Sequence, residues 1–399
     1  MRILYHHRTQ AEDAQGIHIA EMVNAFRELG HKVEMVSLVE SDQGAGGKGE
    51  SRTWAKIMSF APDWFYEVMG LGYNVYGFYR LARTARRFKP DLIYERYSLN
   101  TFCGVWISRL FRIPIALEVN APLYYEQQKL GKLTFKSFAR FSEKWICSHA
   151  SLTIVVTAVM KEMLIKEGIP AEKMVVMHNG INPARISKNV SPENVRQKYH
   201  LTDSIVIGFV GWFRKWHGLE MLLEAVNNAG LSEKGVKLLL VGDGPAYPDL
   251  LRYAQENHMQ DSVIFTGPVE KEQIPEYIAA IDIAVQPSAT EYACPMKIIE
   301  YMGMGKCILA PAQANIQEIL DDNISAVFFT PGSTTSLQTA LTRLVENAAL
   351  RKNLADNAYK SLITREMTWK RNARETLKLA FHLVPQLCGG MKTRRSASK

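Results

Sequence analysis

Lys297 and Glu300 stand close together in the stretch 288–306, with Pro295 before them and Gly305 after. Proline at a first helical position and glycine just past the end predict a short helix there. At about 100° per residue, Lys297 and Glu300 share one side while Ile298, Ile299 and Met302 take the other, so the charged pair faces a cleft or water. The helix dipole disfavours a cation in the first turn unless an anion lies beside it, and a bound phosphate would remove that conflict. Glu300 can accept hydrogen bonds from both hydroxyls of a ribose, each charge-assisted bond contributing about 1.5–3 kcal/mol. The alternative is a solvated Lys–Glu pair on an ordinary helix.

A second candidate is the loop 211–218, which carries Arg214, Lys215 and His217 between glycines and precedes a helix beginning near Leu219. Unpaired N–H groups at a helix N-terminus hold diphosphates, and cations beside them reinforce the grip. The competing reading is a solvated basic loop, in which Trp212, Phe213 and Trp216 would be poorly placed. A third is Gly242, Asp243 and Gly244, where glycines permit close backbone approach to a ligand or simply form a turn.

These loops need strands and helices to hold them. Short β-rich runs at 2–5, 32–38, 92–94, 115–119, 152–156 and 174–177 alternate with helical patterns, the clearest being Ile19, Val23, Phe26 and Leu29 with Gly30 as a stop. After the turn-rich residues 178–183 the alternation restarts at 205–210, 237–241, 263–265, 281–285 and 306–310. Such alternation predicts an α/β chain of two parallel-sheet domains facing across a cleft, with ligands beyond the carboxyl ends of the strands. The expected domains are 1–180 and 181–365, then a helix 366–388 returning to the first domain and a disordered basic tail 389–399. Residues 40–51 read as a flexible loop. Residues 54–88 are aromatic-rich and end in Arg80, Arg83, Arg86 and Arg87. They suit an anionic membrane surface, or else helices packed on the sheet with solvated arginines.

Composition narrows the classes. The 399 residues are 47% hydrophobic and 22% charged, enough apolar material for a large core, and the formal charge of +8 suits anionic substrates better than nucleic acid. The 5 cysteines are widely spaced and form no Cys-x-x-Cys unit, which argues against a disulfide scaffold or zinc module. Neither a signal-peptide pattern nor a run of about 18 uninterrupted apolar residues is present, so the expected location is cytoplasmic, peripheral to a membrane at most.

Together the segments 16–18, 30–33, 178–181, 211–218, 241–245 and 295–305 resemble glycosyltransferase family 4, with the GT-B fold of two Rossmann-like domains. Residues 94–98 and 117–123 are similar to bacterial members associated with exopolysaccharide and exosortase-linked gene sets. The resemblance implies a nucleotide-diphosphate sugar on the second domain: Glu300 on the ribose, Arg214, Lys215, His217 and Lys297 at the diphosphate, and Gly242, Asp243, Gly244 and Pro295 lining the donor. Glu291 would meet the sugar. The Gly16 loop would approach the donor from the first domain, where His18 either donates to a phosphate or caps a turn. Glu118 and Asn120 would meet the acceptor, a glycan or lipid-linked saccharide, Glu118 being equally readable as a partner for an arginine.

The implied reaction moves a hexose from a UDP- or GDP-sugar with retention, using no metal and no cofactor. The alternatives are a nucleotide-sugar epimerase on the same fold and a non-catalytic nucleotide-sugar binder in a polysaccharide assembly complex. The sequence departs from the family pattern in three places. Eight residues separate Glu291 from Glu300 where the family has seven, so that Tyr292 takes the expected first position; His217 replaces a lysine; and Asn120 replaces a first-domain histidine.

Overall fold

The computed structural model describes residues 1–9, 14–38 and 63–387. The expected flexible loop 40–51, the early part of the aromatic stretch (54–62) and the tail 389–399 lie outside the described residues. The chain forms two compact units, one built from Met1–Met177 together with the chain from Lys370 onward, the other from His178–Trp369.

The first unit holds β1 (Arg2–His7), β2 (Lys32–Ser37), β3 (Leu92–Arg96), β4 (Ile115–Val119), β5 (Leu152–Val155) and β6 (Met174–Val176) in one sheet ordered β2-β1-β3-β4-β5-β6. All its pairings are parallel. Strands covered on both faces read as near-continuous apolar runs, and β3, β4 and β5 are buried at every residue. Parallel crossovers are right-handed, so the direction of travel across the sheet fixes which face each helix covers. The step from β1 to β2 puts helix Ala14–Glu28 on one face. The steps from β2 onward run the opposite way and put helices Asp63–Phe88, Cys103–Phe111 and Lys136–His149 together on the other.

The second unit holds β7 (Ile205–Val210), β8 (Val236–Val241), β9 (Val263–Phe265), β10 (Ile283–Val285), β11 (Cys307–Pro311) and β12 (Val327–Phe329), again parallel, in the order β12-β11-β10-β7-β8-β9. Its core includes Phe209, Phe213, Leu222, Leu240, Ile283, Leu309 and Leu341. The strand order reverses between β7 and β10 here and between β1 and β3 in the first unit, the positions where open α/β sheets take ligands. The expected strands coincide with the observed ones to within a residue or two, and β12 is an addition. The final helix, Trp369–Leu387, buries Ala373, Thr376 and Ala380, and Thr376 Oγ1 lies 3.8 Å from Met177 Sδ.

At the carboxyl end of the first sheet, His6 Nδ1 and Glu95 Oε2 are 2.6 Å apart and His6 Nε2 lies 2.9 Å from the Tyr73 hydroxyl, all three side chains being buried. Gly104 makes this possible, because a Cβ there would fall 1.6 Å from Glu95 Oε2. Gly104→Ala is expected to lower the stability of the first unit by about 1–3 kcal/mol through overpacking against a fixed carboxylate. Scanning calorimetry that detects an unchanged first transition would refute this.

Candidate functional site

The loops leaving β7 and β10 meet at the switch point of the second sheet. Gly211 follows β7, and its N–H bonds to the Val241 carbonyl at 2.9 Å, while Phe213 N–H donates to the Asp243 carbonyl at 2.6 Å. Gly242 and Gly244, at φ +128° and +149°, are required by this crossing: a Cβ on Gly242 would lie 2.1 Å from Gly211 O, and one on Gly244 would lie 2.6 Å from both Phe213 N and Phe213 O. The close approach that these glycines permit is to the neighbouring backbone. Asp243 is likewise turned inward, with Oδ1 accepting from Gly244 N–H at 2.7 Å.

Lys297 enters this junction from helix Met296–Gly303, whose entry is set by Pro295 at φ −68°. Gly211, at φ +144°, leaves its stem room to pass, since a Cβ there would be 2.6 Å from Lys297 Cε. The ammonium lies 5.0 Å from the Phe209 ring centre and donates to His217 Nε2 at 3.4 Å, while His217 Nδ1–H donates to the Trp212 carbonyl at 2.8 Å. An ammonium can only donate and a carbonyl can only accept, so the imidazole carries its proton on Nδ1. Burial, then the adjacent Lys297 charge, lowers the His217 pKa to about 3, and burial lowers that of Lys297 to about 8 against the raising influence of Glu300. His217 is thus neutral at physiological pH. Its imidazole orients Lys297 and leaves the positive charge of the loop to Arg214 and Lys215.

Arg214 lies over the Trp216 ring at 4.9 Å, and the exposed Lys215 reaches Asp249 at 3.7 Å. Both line a cavity of about 450 Å³ whose other walls include Glu220, Asp249 and Arg252, on helices Leu219–Asn228 and Tyr247–Glu256. The structure therefore brings His217 to Lys297 and turns Lys215 toward that neighbouring cavity. Gly218, at φ +68°, starts helix Leu219–Asn228 and lies so close to the next loop that a Cβ would be 3.2 Å from Ser288 Cβ.

Glu300 accepts from Arg185 Nη2 at 3.2 Å, with the two side chains 16% and 25% exposed. The arginine fixes a carboxylate that solvent still reaches. Glu291 is exposed in the loop before the helix, whereas Tyr292 is buried. Asn179 ties that loop down, donating from Nδ2 to the Cys294 carbonyl at 2.8 Å.

The first unit has its own charged cluster at its switch point. His18 Nε2 and Glu118 Oε1 are 2.8 Å apart, Arg96 Nη1 lies 3.2 Å from His18 Nδ1 and 3.9 Å from Glu118 Oε2, and all three side chains are buried. Arg96 can only donate, so His18 Nδ1 accepts and Nε2–H donates to Glu118. Both ring nitrogens of His18 thus have partners inside the unit. Burial alone would raise the Glu118 pKa, but His18 and then Arg96 outweigh it and hold the carboxyl at about 2. A group so weakly basic is a poor proton acceptor at neutral pH. Glu118 is the partner of His18 and Arg96, the arginine-partner alternative of its two sequence readings. Half-buried Asn120 follows β4, and Gly16 lies within the first turns of helix Ala14–Glu28. Among the described residues no group of three or more His, Cys, Asp or Glu is placed to hold a metal ion.

Residues 15–185 match the domain family described as Glycosyltransferase Family 4, and residues 204–347 match that described as Glycosyl transferases group 1. The chain belongs to the family 4 glycosyltransferases. The uncharacterized glycosyltransferase MJ1069 of Methanocaldococcus jannaschii is 24% identical over 65% of this chain and 63% of its own length. The alpha-D-kanosaminyltransferase of Streptomyces kanamyceticus is 25% identical over 63% of this chain and 66% of its own. The chain thus spans somewhat under two thirds of the length of these relatives. In fold it is similar to Anabaena Alr3699/HepE, with a TM-score of 0.74 and 19% identity over 95% of this chain and 100% of that one. The HepE crystal structures hold UDP and, separately, UDP-glucose. Two parallel α/β units are the GT-B architecture of such neighbours.

The family reading also shows what the sequence hides. Arg185 and Arg96, which hold Glu300 and Glu118, lie 115 and 22 residues away in the chain. Arg96 and Glu118 are brought together as register partners of the neighbouring strands β3 and β4, and register is not written in residue spacing.

Proposed function

We propose that this protein moves a hexose from a UDP- or GDP-sugar to a glycan or lipid-linked saccharide, with retention and without a metal ion. The carrying observation is the half-buried Lys297 ammonium, held by His217 in the first turn of helix Met296–Gly303. A cation there conflicts with the helix dipole, and a diphosphate resolves the conflict. In a partly water-excluded site the same ammonium stabilises charge developing on the departing phosphate, the work done elsewhere by a divalent ion. Glu300, fixed by Arg185, accepts the ribose hydroxyls.

In the step itself the bond between the sugar C1 and the phosphate oxygen breaks and a bond from C1 to the acceptor oxygen forms on the same face. The acceptor proton passes to the departing phosphate oxygen. No enzyme base is needed for that transfer, which agrees with a Glu118 held too acidic to serve as one. Asn120 can position the acceptor. HepE, holding UDP and UDP-glucose, supports the choice of nucleotide sugar.

The test is to incubate the protein with UDP- and GDP-hexoses. The expected results are a raised melting temperature with one donor class, nucleotide diphosphate release that a chelator leaves unchanged, and a product whose anomeric proton coupling matches the donor's. Conversion of donor to an epimer without acceptor would identify an epimerase instead. Binding with neither transfer nor hydrolysis would identify a silent binder.

A further inference from the structure

The helical layer formed by Asp63–Phe88, Cys103–Phe111 and Lys136–His149 has an outer surface unlike that of an ordinary α/β domain. On the first helix, Trp64, Val68, Val75 and Tyr79 recur along one side and are 48%, 46%, 78% and 64% exposed, with Phe65 and Met69 beside them. The second exposes Trp106 and Leu110. The third exposes Phe138 and Phe141, and Phe135 stands at its start.

Neighbour contacts join these positions. Glu67 accepts the Phe135 N–H at 3.2 Å, and the Phe102 ring lies 6.2 Å from that of Phe138 and 5.6 Å from that of Trp106. Exposed contiguous apolar surface of this kind marks an interaction site.

Charge identifies the occupant. Along residues 64–87, 103–112 and 136–149 the only acidic residues are Glu67 and Glu143, and both are buried, accepting main-chain N–H groups of Phe135 and Tyr124. Apart from Asp63 at the start of the first helix, whose side chain is not described, the exposed charges of the three helices are therefore all positive, among them Arg83, Arg86, Arg109, Lys136 and Lys144. Aromatic rings suit headgroup depth, aliphatic groups the acyl boundary, and arginines and lysines the anionic headgroups. No helix among the described residues is long and apolar enough to cross a membrane.

We infer that this layer docks the first unit flat on an anionic lipid surface. Of the stretch 54–88, in which sequence suggested a membrane contact, the proposed surface uses residues from 64 onward, and it adds two helices that sequence reasoning did not join to them. The inference is separate from the donor chemistry, since none of these residues belongs to the donor loops.

The test is sedimentation of the full-length protein with vesicles of phosphatidylcholine alone and of phosphatidylcholine containing about 30 mol% phosphatidylglycerol, the anionic component supplying the surface potential. Binding at least tenfold stronger to the anionic vesicles is expected, weakened by salt. Phe138→Glu/Phe141→Glu is expected to reduce it at least tenfold, and Arg83→Ala/Arg109→Ala to reduce the dependence on lipid charge. Both variants should keep the wild-type melting temperature and donor-induced stabilisation, which separates lost docking from lost folding and from failure of the donor site. Binding that ignores lipid charge, or no binding, overturns the proposal. So does a concentration-dependent dimer that Phe138→Glu/Phe141→Glu dissolves in the absence of vesicles, because the face would then belong to a second copy of this chain.

Discussion

Lys297→Ala is expected to lower kcat/KM for the donor by about 10²–10³-fold, the effect of deleting one preorganised group aimed at developing negative charge. The loss should fall mainly on kcat, since charge on the leaving phosphate is greater in the transition state than in the bound donor. The variant should melt no lower than the wild type, because the native ammonium is desolvated and its pKa is already lowered to about 8. That value also sets a pH profile. The diphosphate grip requires the protonated amine, so kcat/KM should be full below pH 8 and fall as pH rises through it. Lys297→Arg, charged throughout this range, should lose the falling limb while remaining slower than wild type, because a planar guanidinium does not fit the channel that Gly211 opens. A rate that ignores both substitutions would remove Lys297 from the donor site.

The second large effect is expected at Glu300. Glu300→Ala deletes the acceptor for the ribose hydroxyls and leaves Arg185 without its carboxylate, so donor affinity should fall by about 10–100-fold, the range of a charge-assisted hydrogen bond. The change should appear in KM more than in kcat, because ribose contacts are alike in ground and transition states. A 2′-deoxyribose donor supplies the other side of a cycle. It should bind wild type more weakly than the parent donor does, and the Glu300→Ala variant should discriminate between the two much less. Donor affinity within twofold of wild type would dismiss the ribose assignment.

Much of the site was legible because it lies in local sequence. Pro295, Lys297 and Glu300 belong to one helix and the loop 211–218 to one turn, so spacing alone gathered them. The local partners of individual residues were less legible. Gly242 and Gly244 looked like ligand-facing glycines, since the sequence does not reveal that the neighbouring backbone occupies their missing Cβ positions. The partners of His217 and His18, Lys297 and the Arg96–Glu118 pair, are distant in sequence and could not be read from spacing. Tyr292 fell at the place where a carboxylate was expected and is buried, a consequence of the extra residue before Glu300. The two parallel sheets were legible from alternating patterns, but strand order was not.

The second unit is one continuous stretch, His178–Trp369, whereas the first is assembled from both ends of the chain. During synthesis the ribosome therefore completes the second sheet while the first unit still lacks the final helix, which buries Ala373, Thr376 and Ala380 and sets Thr376 beside Met177. Maturation is thus ordered by connectivity: the part translated first is the last to be sealed, and premature termination near the carboxyl end injures the amino-terminal half.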